Sequence, residues 1–433
     1  MKRALLIAAL ASAAFPAMAA TIAITGGTVL TANGEESIAG GTVIIRDGRI
    51  VAVGAGVPVP AGATVIDATG KFVTPGIIAG MSDIGITEVE GVRETNDAGA
   101  RTSPFSAALD LAPAINPHSL HIPINRMGGV TRAVVGPQAS TSIFGGQGAI
   151  ITLAQGAATV IRTRAFQYVE MGESGGRNAG GSRPAAWAQL ANSLAEAQRL
   201  AANPAGYDRG QDSGSLTKRL DAEALLPVIR GAQPLVVHAE RASDIRQVLA
   251  LKARMPALRP ILIGAREAWL VAAEIARAGV PVITHSLYDL PDDFETLASS
   301  RSNLGHLQAA GVVVAIGALG GIGGTYSVNL PSYAGNAVGQ AAVPGGKGLT
   351  RGQALASITA NPARIFGLTD AGTLAVGKAG DVVVWDGDPL ELMSAPVAVL
   401  INGVPQPMES RQTQLRDRYK ALGRSDLPLQ YPQ

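Results

Sequence analysis

Residues 235–284 read LVVHAERASDIRQVLALKARMPALRPILIGAREAWLVAAEIARAGVPVIT, and this stretch decides the fold class. Leu235 to His238 and Ile261 to Ile263 are short apolar runs of the kind buried on both faces of a sheet. Between them, residues 243–254 set Ile245, Val248 and Leu249 on one helical face. Residues 266–278 form a second helical segment that Gly279 closes, and Val280 to Thr284 is again a strand. The rhythm continues with 292–310, mostly helical and ending at Gly311, and with a strand from Val312 to Gly317. Strands alternating with helices call for a parallel sheet with helical crossovers. Over residues 76–367 the closed form is α/β, a (β/α)8 TIM-like barrel, with an open doubly wound sheet as the alternative.

The texture changes on either side. Residues 20–75 hold Val-, Ile- and Thr-rich runs at Thr21 to Leu30, Gly41 to Arg46 and Ile50 to Val53, with Asp47-Gly48 as a hairpin turn. Residues 368–408 repeat the pattern at Gly372 to Leu374, Asp381 to Trp385 and Val397 to Ile401, with Asn402-Gly403 as another turn. Each block is too small to bury a core alone, so the two are expected to form one composite β-sandwich. Residues 172–221 interrupt the barrel rhythm. There Gly175-Gly176 and Gly180-Gly181 lead into a helix from about Pro184, with Trp187, Leu190, Leu194 and Leu200 on one stripe. This segment reads as an insertion over the barrel, placed like a lid; residues 409–433 are a C-terminal tail.

Met1-Lys-Arg3, the apolar run Ala4 to Phe15 and the small-x-small Ala17-Met-Ala19 have the layout of a secretory signal peptide, residues 1–19. The bland alternative is a core helix. Export with cleavage after Ala19 puts the protein in the periplasm or outside the cell. Whole, the chain has 35 Lys+Arg against 33 Asp+Glu; without Lys2 and Arg3 it has 33 of each. That balance gives no electrostatic reason for a nucleic-acid or anionic-membrane partner. With no cysteine, there is neither a disulfide nor a thiolate nucleophile or metal ligand. No second apolar stretch is long enough to span a bilayer.

Three stretches carry a family resemblance. Ala68-Thr-Gly-Lys-Phe-Val-Thr-Pro-Gly-Ile-Ile78 resembles the approach to the first barrel strand of the amidohydrolase superfamily, and Leu235-Val-Val-His-Ala239 its fifth strand. Asn361-Pro-Ala-Arg-Ile-Phe-Gly-Leu368, followed by Gly372-Thr-Leu-Ala-Val-Gly-Lys-Ala-Gly-Asp-Val-Val-Val-Trp385, is similar to its exit from the barrel. The resemblance, to a secreted imidazolonepropionase-like or dipeptidase-like branch, implies a barrel with a composite β-sandwich. It also implies a one- or two-metal hydrolase of C–N bonds in amides, dipeptides or cyclic ureides. In such a site, metal-bound water loses its proton near neutral pH because several ligands converge on one ion.

The ligand pattern that the resemblance implies is incomplete. Met81-Ser82-Asp83 stands where a His-x-His pair ends the first strand, and no lysine lies between Lys71 and Lys218 to bridge metals from the fourth. His238 matches the fifth-strand histidine, Ile263 stands in place of the sixth-strand histidine, and Leu319 in place of the eighth-strand aspartate. Asp83 and His238 are therefore the candidate catalytic residues, with His285 and Ser82 as candidate substrate contacts. No zinc or other cofactor is expected from two ligands. His306 reads as a helical packing residue, and His118 and His121 as members of a proline-bounded loop. Glu88, Glu90, Glu94 and Asp97 read as a solvated rim, and Gly145 to Gly148 and Gly320 to Gly324 as tight turns. Three readings stay open: a hydrolase with a reduced site, a protein binding a small amide or dipeptide, and a non-catalytic subunit partnering an active amidohydrolase.

Overall fold

The chain begins as a meander. In the computed structural model, which describes residues 21–208, 214–317 and 324–420, β1 (Thr21–Leu30), β2 (Ser37–Arg46) and β3 (Arg49–Ala55) pair antiparallel. Asp47 and Gly48 both take positive φ, 51° and 76°, as a two-residue hairpin requires. β4 (Thr64–Asp67) and β5 (Phe72–Pro75) run parallel to β1. The leader expected at residues 1–19 lies outside the described residues, as does Leu319.

The next eight strands form the barrel: β6 (Ile77–Ser82), β7 (Val130–Val135), β8 (Phe144–Thr152), β9 (Val160–Glu170), β10 (Leu235–Ala239), β11 (Pro260–Gly264), β12 (Val282–Thr284) and β13 (Val314–Ile316). They are hydrogen-bonded in chain order, and glycines bring the first and last together. A Cβ on Gly317 would lie 3.0 Å from the Met81 nitrogen, and one on Gly80 would lie 3.2 Å from the Ile316 oxygen. Alternate side chains Ile78, Met81, Phe166, Val236, Ile261, Ile263 and Ile283 belong to one buried cluster, the barrel interior. The intervening Ala79, Val237, Leu262 and Val282 join the larger core shared with the helices.

The structure departs from the sequence reading in several places. β8 runs antiparallel to both β7 and β9, so the second to fourth strands are a meander without crossover helices. Gly145 to Gly148 therefore sit in a strand, not a tight turn. Gly148 is needed because a Cβ there would lie 2.0 Å from the Phe166 ring. Between β6 and β7 the chain forms α1 (His121–Met127), which takes His121 out of the expected loop. Pro123 lies in its first turn, where a missing N–H costs nothing.

After β9 come α2 (Gly172–Asn178) and α3 (Arg183–Ala202), then the short α4 (Pro204–Asp208), α5 (Arg219–Ala224) and α6 (Leu226–Ile229). Ser182 caps α3 by accepting from the Ala185 N–H, and Leu190 and Leu194 are buried in the main core. α3 is thus the crossover to β10, in the layer of helices around the barrel, and not a lid. α7 (Ala242–Arg254), α8 (Ala272–Ala278, stopped by left-handed Gly279) and α9 (Asn303–Ala309) follow the next three strands. Of the helical stretch expected over 292–310, helix forms only at α9.

β14 (Val382–Trp385), β15 (Pro396–Ile401) and β16 (Val404–Pro405) return the chain to its start. β14 pairs antiparallel with β5, so both ends of the chain share one eight-stranded sheet. That sheet has its own core, including Ile22, Ile24, Val43, Ile45, Val382 and Leu400.

Candidate active site

Strand periodicity aims the site. Val236 faces the barrel interior, so His238, two residues on, does too. Parallel register sets His238 between Glu170 at the end of β9 and Ile263 near the end of β11. Asp83 follows β6, and His285 follows β12, so all emerge at the carboxyl ends of parallel strands, the face where this architecture carries chemistry.

His238 is clamped. Its Nδ1 lies 2.5 Å from Glu170 Oε1 and its Nε2 lies 3.1 Å from Glu240 Oε1. Tyr168 donates its hydroxyl to Glu170 Oε2 at 2.9 Å, and the Arg266 N–H donates to Glu240 Oε2 at 2.9 Å. Burial opposes a charge on His238, but the two carboxylates outweigh it and raise its pKa well above 6.5. The ring is therefore an imidazolium at neutral pH, donating from both nitrogens. Burial and the neighbouring Glu170 raise the Tyr168 pKa well above 10, which keeps that hydroxyl a donor. Gly264 leaves room for the clamp: a Cβ there would lie 2.7 Å from both His238 Nε2 and Glu240 Oε1.

The other predicted residues fall into two groups. Asp83 is buried at the mouth, accepts the Asp83–Gln138 hydrogen bond from Gln138 Nε2 at 3.2 Å, and donates its N–H to Gly324 O at 2.9 Å. His285 stands at the same end, its ring 5.0 Å from Tyr288 and 4.4 Å from Tyr333. Burial, with Arg266 nearby, pushes its pKa down to about 4, so it is neutral, and its Nδ1 accepts from the Leu287 N–H. Arg266 in turn stacks over Tyr288, 3.7 Å from the ring centroid. Ser82 is different: wholly buried, it donates its hydroxyl to Val134 O at 3.0 Å, into the sheet. Its hydroxyl is thus engaged by the sheet. His306 packs its ring on Trp269. His121 is buried, with Nε2 3.0 Å from Glu88 O. Glu88 is not wholly a solvated rim residue, because it accepts from Asn116 and from the Leu120 N–H.

Sequence reasoning missed Tyr168, Glu170, Glu240 and Arg266. Two of them had a signal. Glu240 is two residues beyond His238, and Glu170 two beyond Tyr168, so each shares its neighbour's strand face. Glu170 also supplies a carboxylate at the end of the fourth strand, where the missing lysine had left no candidate.

Zinc, which the resemblance implies, is not matched by these residues. A histidine ligand needs a neutral ring with a lone pair. His238 spends both nitrogens on carboxylates, and His285 Nδ1 accepts a backbone N–H. Met81 and Ile263 pack in the apolar interior cluster. Among the described residues, no three His, Asp or Glu side chains are grouped to hold a metal ion.

Comparison with known proteins fits this geometry. Residues 324–405 match the model of the amidohydrolase family. The structure of an amidohydrolase from Thermotoga maritima MSB8 superposes with a TM-score of 0.78 at 24% identity, covering 89% of this chain and 99% of that one. Its fold is that of the amidohydrolases. The curated amidohydrolase tasK of Hapsidospora irregularis is 25% identical over 385 residues, 80% of this chain. The match spans only 38% of that relative's length. A shorter stretch of 40 residues, 9% of this chain and 8% of the relative, is 60% identical to an N-acyl-D-glutamate deacylase of Alcaligenes xylosoxydans xylosoxydans. Among the described residues, no helix of this amidohydrolase-fold chain is long and apolar enough to cross a membrane.

Proposed function

We propose that this chain derives from metal-dependent hydrolases of C–N bonds, has lost most of their ligands, and now binds a small amide or dipeptide at the barrel mouth without a resident metal. One observation carries the reading: both nitrogens of His238 are closed by carboxylates. Hydrolysis of an amide needs an activated water, and an imidazolium cannot take its proton. What the mouth can do is present polar groups to a ligand. In this reading Asp83 is the binding carboxylate, His238 holds Glu170 and Glu240 in place beside it, and His285 with Tyr288 and Tyr333 forms an aromatic wall. The dipeptidase-like or imidazolonepropionase-like branch and a periplasmic setting belong to the same proposal.

Metal analysis tests it. Protein dialysed against dilute zinc should retain well under one equivalent, and simple amides and dipeptides should bind without turnover. A stoichiometric, slowly dissociating zinc would overturn the reading. So would amide hydrolysis by metal-free protein that His238→Ala abolishes.

A second reading, a non-catalytic subunit beside an active amidohydrolase, is supported by the contrast between a well-packed barrel interior and the apolar Met81 and Ile263 that stand in it where the resemblance implies ligands. Co-purification with a chain that keeps a His-x-His pair, and loss of that chain's activity without this one, would favour it over stand-alone binding.

A further inference from the structure

A concavity opens near Asp83 of the mouth. It encloses about 800 Å³ between the segment after β6 and the segment after β7, and Arg93, Asn96, Arg101, Gln138, Ser140 and Thr141 are among its lining. Pockets of roughly 300–1,000 Å³ suit small ligands. The two arginines are the charged groups of that lining, and no acidic residue shares it. Both are exposed, and neither pairs with a carboxylate among the described residues.

The walls are held in place. The Gln138 N–H donates to Ala98 O at 2.7 Å, and Ser140 Oγ donates to Ala100 O at 2.6 Å. Asn96 Oδ1 accepts from the Ala98 N–H at 3.0 Å, and the Asp97 N–H donates to Ile86 O at 2.9 Å. Gln138 belongs to both places: it lines this cavity and donates to Asp83 of the mouth at 3.2 Å. A ligand seated against Asp83 therefore has the arginine-lined space as its neighbour. The plain alternative is a pair of solvated rim arginines, balanced by Glu90 and Glu94 of the same segment. Against it stands their placement on one concavity whose walls contain no acid.

We propose that Arg93 and Arg101 form a carboxylate subsite next to the mouth, so that the amide the barrel takes carries a free carboxylate at one end. The inference rests on the binding function proposed above. Guanidinium groups present parallel N–H donors that match a carboxylate, and a pair of them has no use for a neutral group at that position.

Calorimetry on the full chain with N-acetyl-L-alanine and its uncharged analogue N-acetyl-L-alaninamide separates the two claims. The acid should bind at least about tenfold more tightly at low salt, and Arg93→Ala/Arg101→Ala should remove that preference while leaving the alaninamide affinity unchanged. Arg93→Lys/Arg101→Lys should keep part of it, since the charge stays and the fork goes. Equal affinities for the two compounds, or a preference for the acid that survives the double alanine variant, would overturn the subsite while the mouth reading stands. If neither compound binds the unmodified protein, the mouth reading fails first and the subsite with it.

Discussion

At the residue scale, the proposed metal-free binding function turns on the charge of His238, which can be measured directly. A histidine whose folded pKa is raised contributes stability fully present below its unfolded value near 6.5 and lost as pH rises through the folded value. His285 has the opposite sign. Its folded value of about 4 gives a contribution present above 6.5 and lost as pH falls toward 4. Ring-nitrogen NMR should therefore show His238 still protonated at pH 7.5 while His285 is already neutral at pH 5.5. Glu170→Gln should lower the His238 pKa. A His238 ring that titrates near 6.5 in the unmodified protein would remove the argument against a metal. Replacing His238 with Ala leaves Glu170 and Glu240 facing each other without the cation between them, so the variant should be less stable than the unmodified protein in urea unfolding. His238 and Asp83 were legible as mouth residues because each ends or follows a short strand. Ser82 was not, because face assignment in β6 depends on a register irregularity between Ala79 and Ser82 that no sequence pattern announces.

At the element scale, the late half of the barrel was readable and the early half was not, for a physical reason. From β10 onward each strand is followed by a helix, so the period of the apolar residues alternates along the chain and marks the boundaries. In β7 to β9 a strand meander replaces the crossovers, and the glycines of β8 look like turn residues although they make room for Phe166. The stripe on α3 was recognised, but the surface it covers could not be, since an apolar stripe looks the same on a lid and on a crossover helix. The two roles differ in energetics. Leu190 is 1% exposed and sits in the main core, so Leu190→Ala should destabilise the whole protein by about 2–5 kcal/mol in urea unfolding. A lid would tolerate the change and alter ligand exchange instead. A cost below about 0.5 kcal/mol, in the range of ordinary surface substitutions, would return α3 to the lid role.

At the scale of the whole molecule, the barrel and the composite sheet are joined by a buried cation. Arg132 in β7 places Nε 2.8 Å from Asp381 Oδ2, immediately before β14, and its NH1 nitrogen 3.0 Å from Asp370 Oδ1. Asp381 also receives the Asn402 N–H at 2.8 Å, and the Gly76 N–H donates to Asp381 O at 2.9 Å, so one residue gathers both chain ends beside the first barrel strand. The side chains of Arg132 and Asp381 are 6% and 5% exposed, whereas Asp370 is 43% exposed. Arg132→Ala would leave the Asp381 carboxylate buried without its cation, a loss of about 3–5 kcal/mol for pairs of this kind. Arg132→Met, which keeps the volume but not the charge, should not recover it. Acid adds an independent readout. Burial works against ionised Asp370, but the Arg132 hydrogen bond and charge outweigh it and hold its pKa below 3.8. Its contribution is therefore present above 3.8 and is lost as pH falls through the lower folded value. Chemical unfolding at pH 7 and across pH 5 to 3 should show the variant both less stable and with a shallower loss of stability in acid. An Arg132→Ala protein that unfolds in one step with undiminished stability would mean that the apolar contacts between the two sheets hold them together without the ion pair.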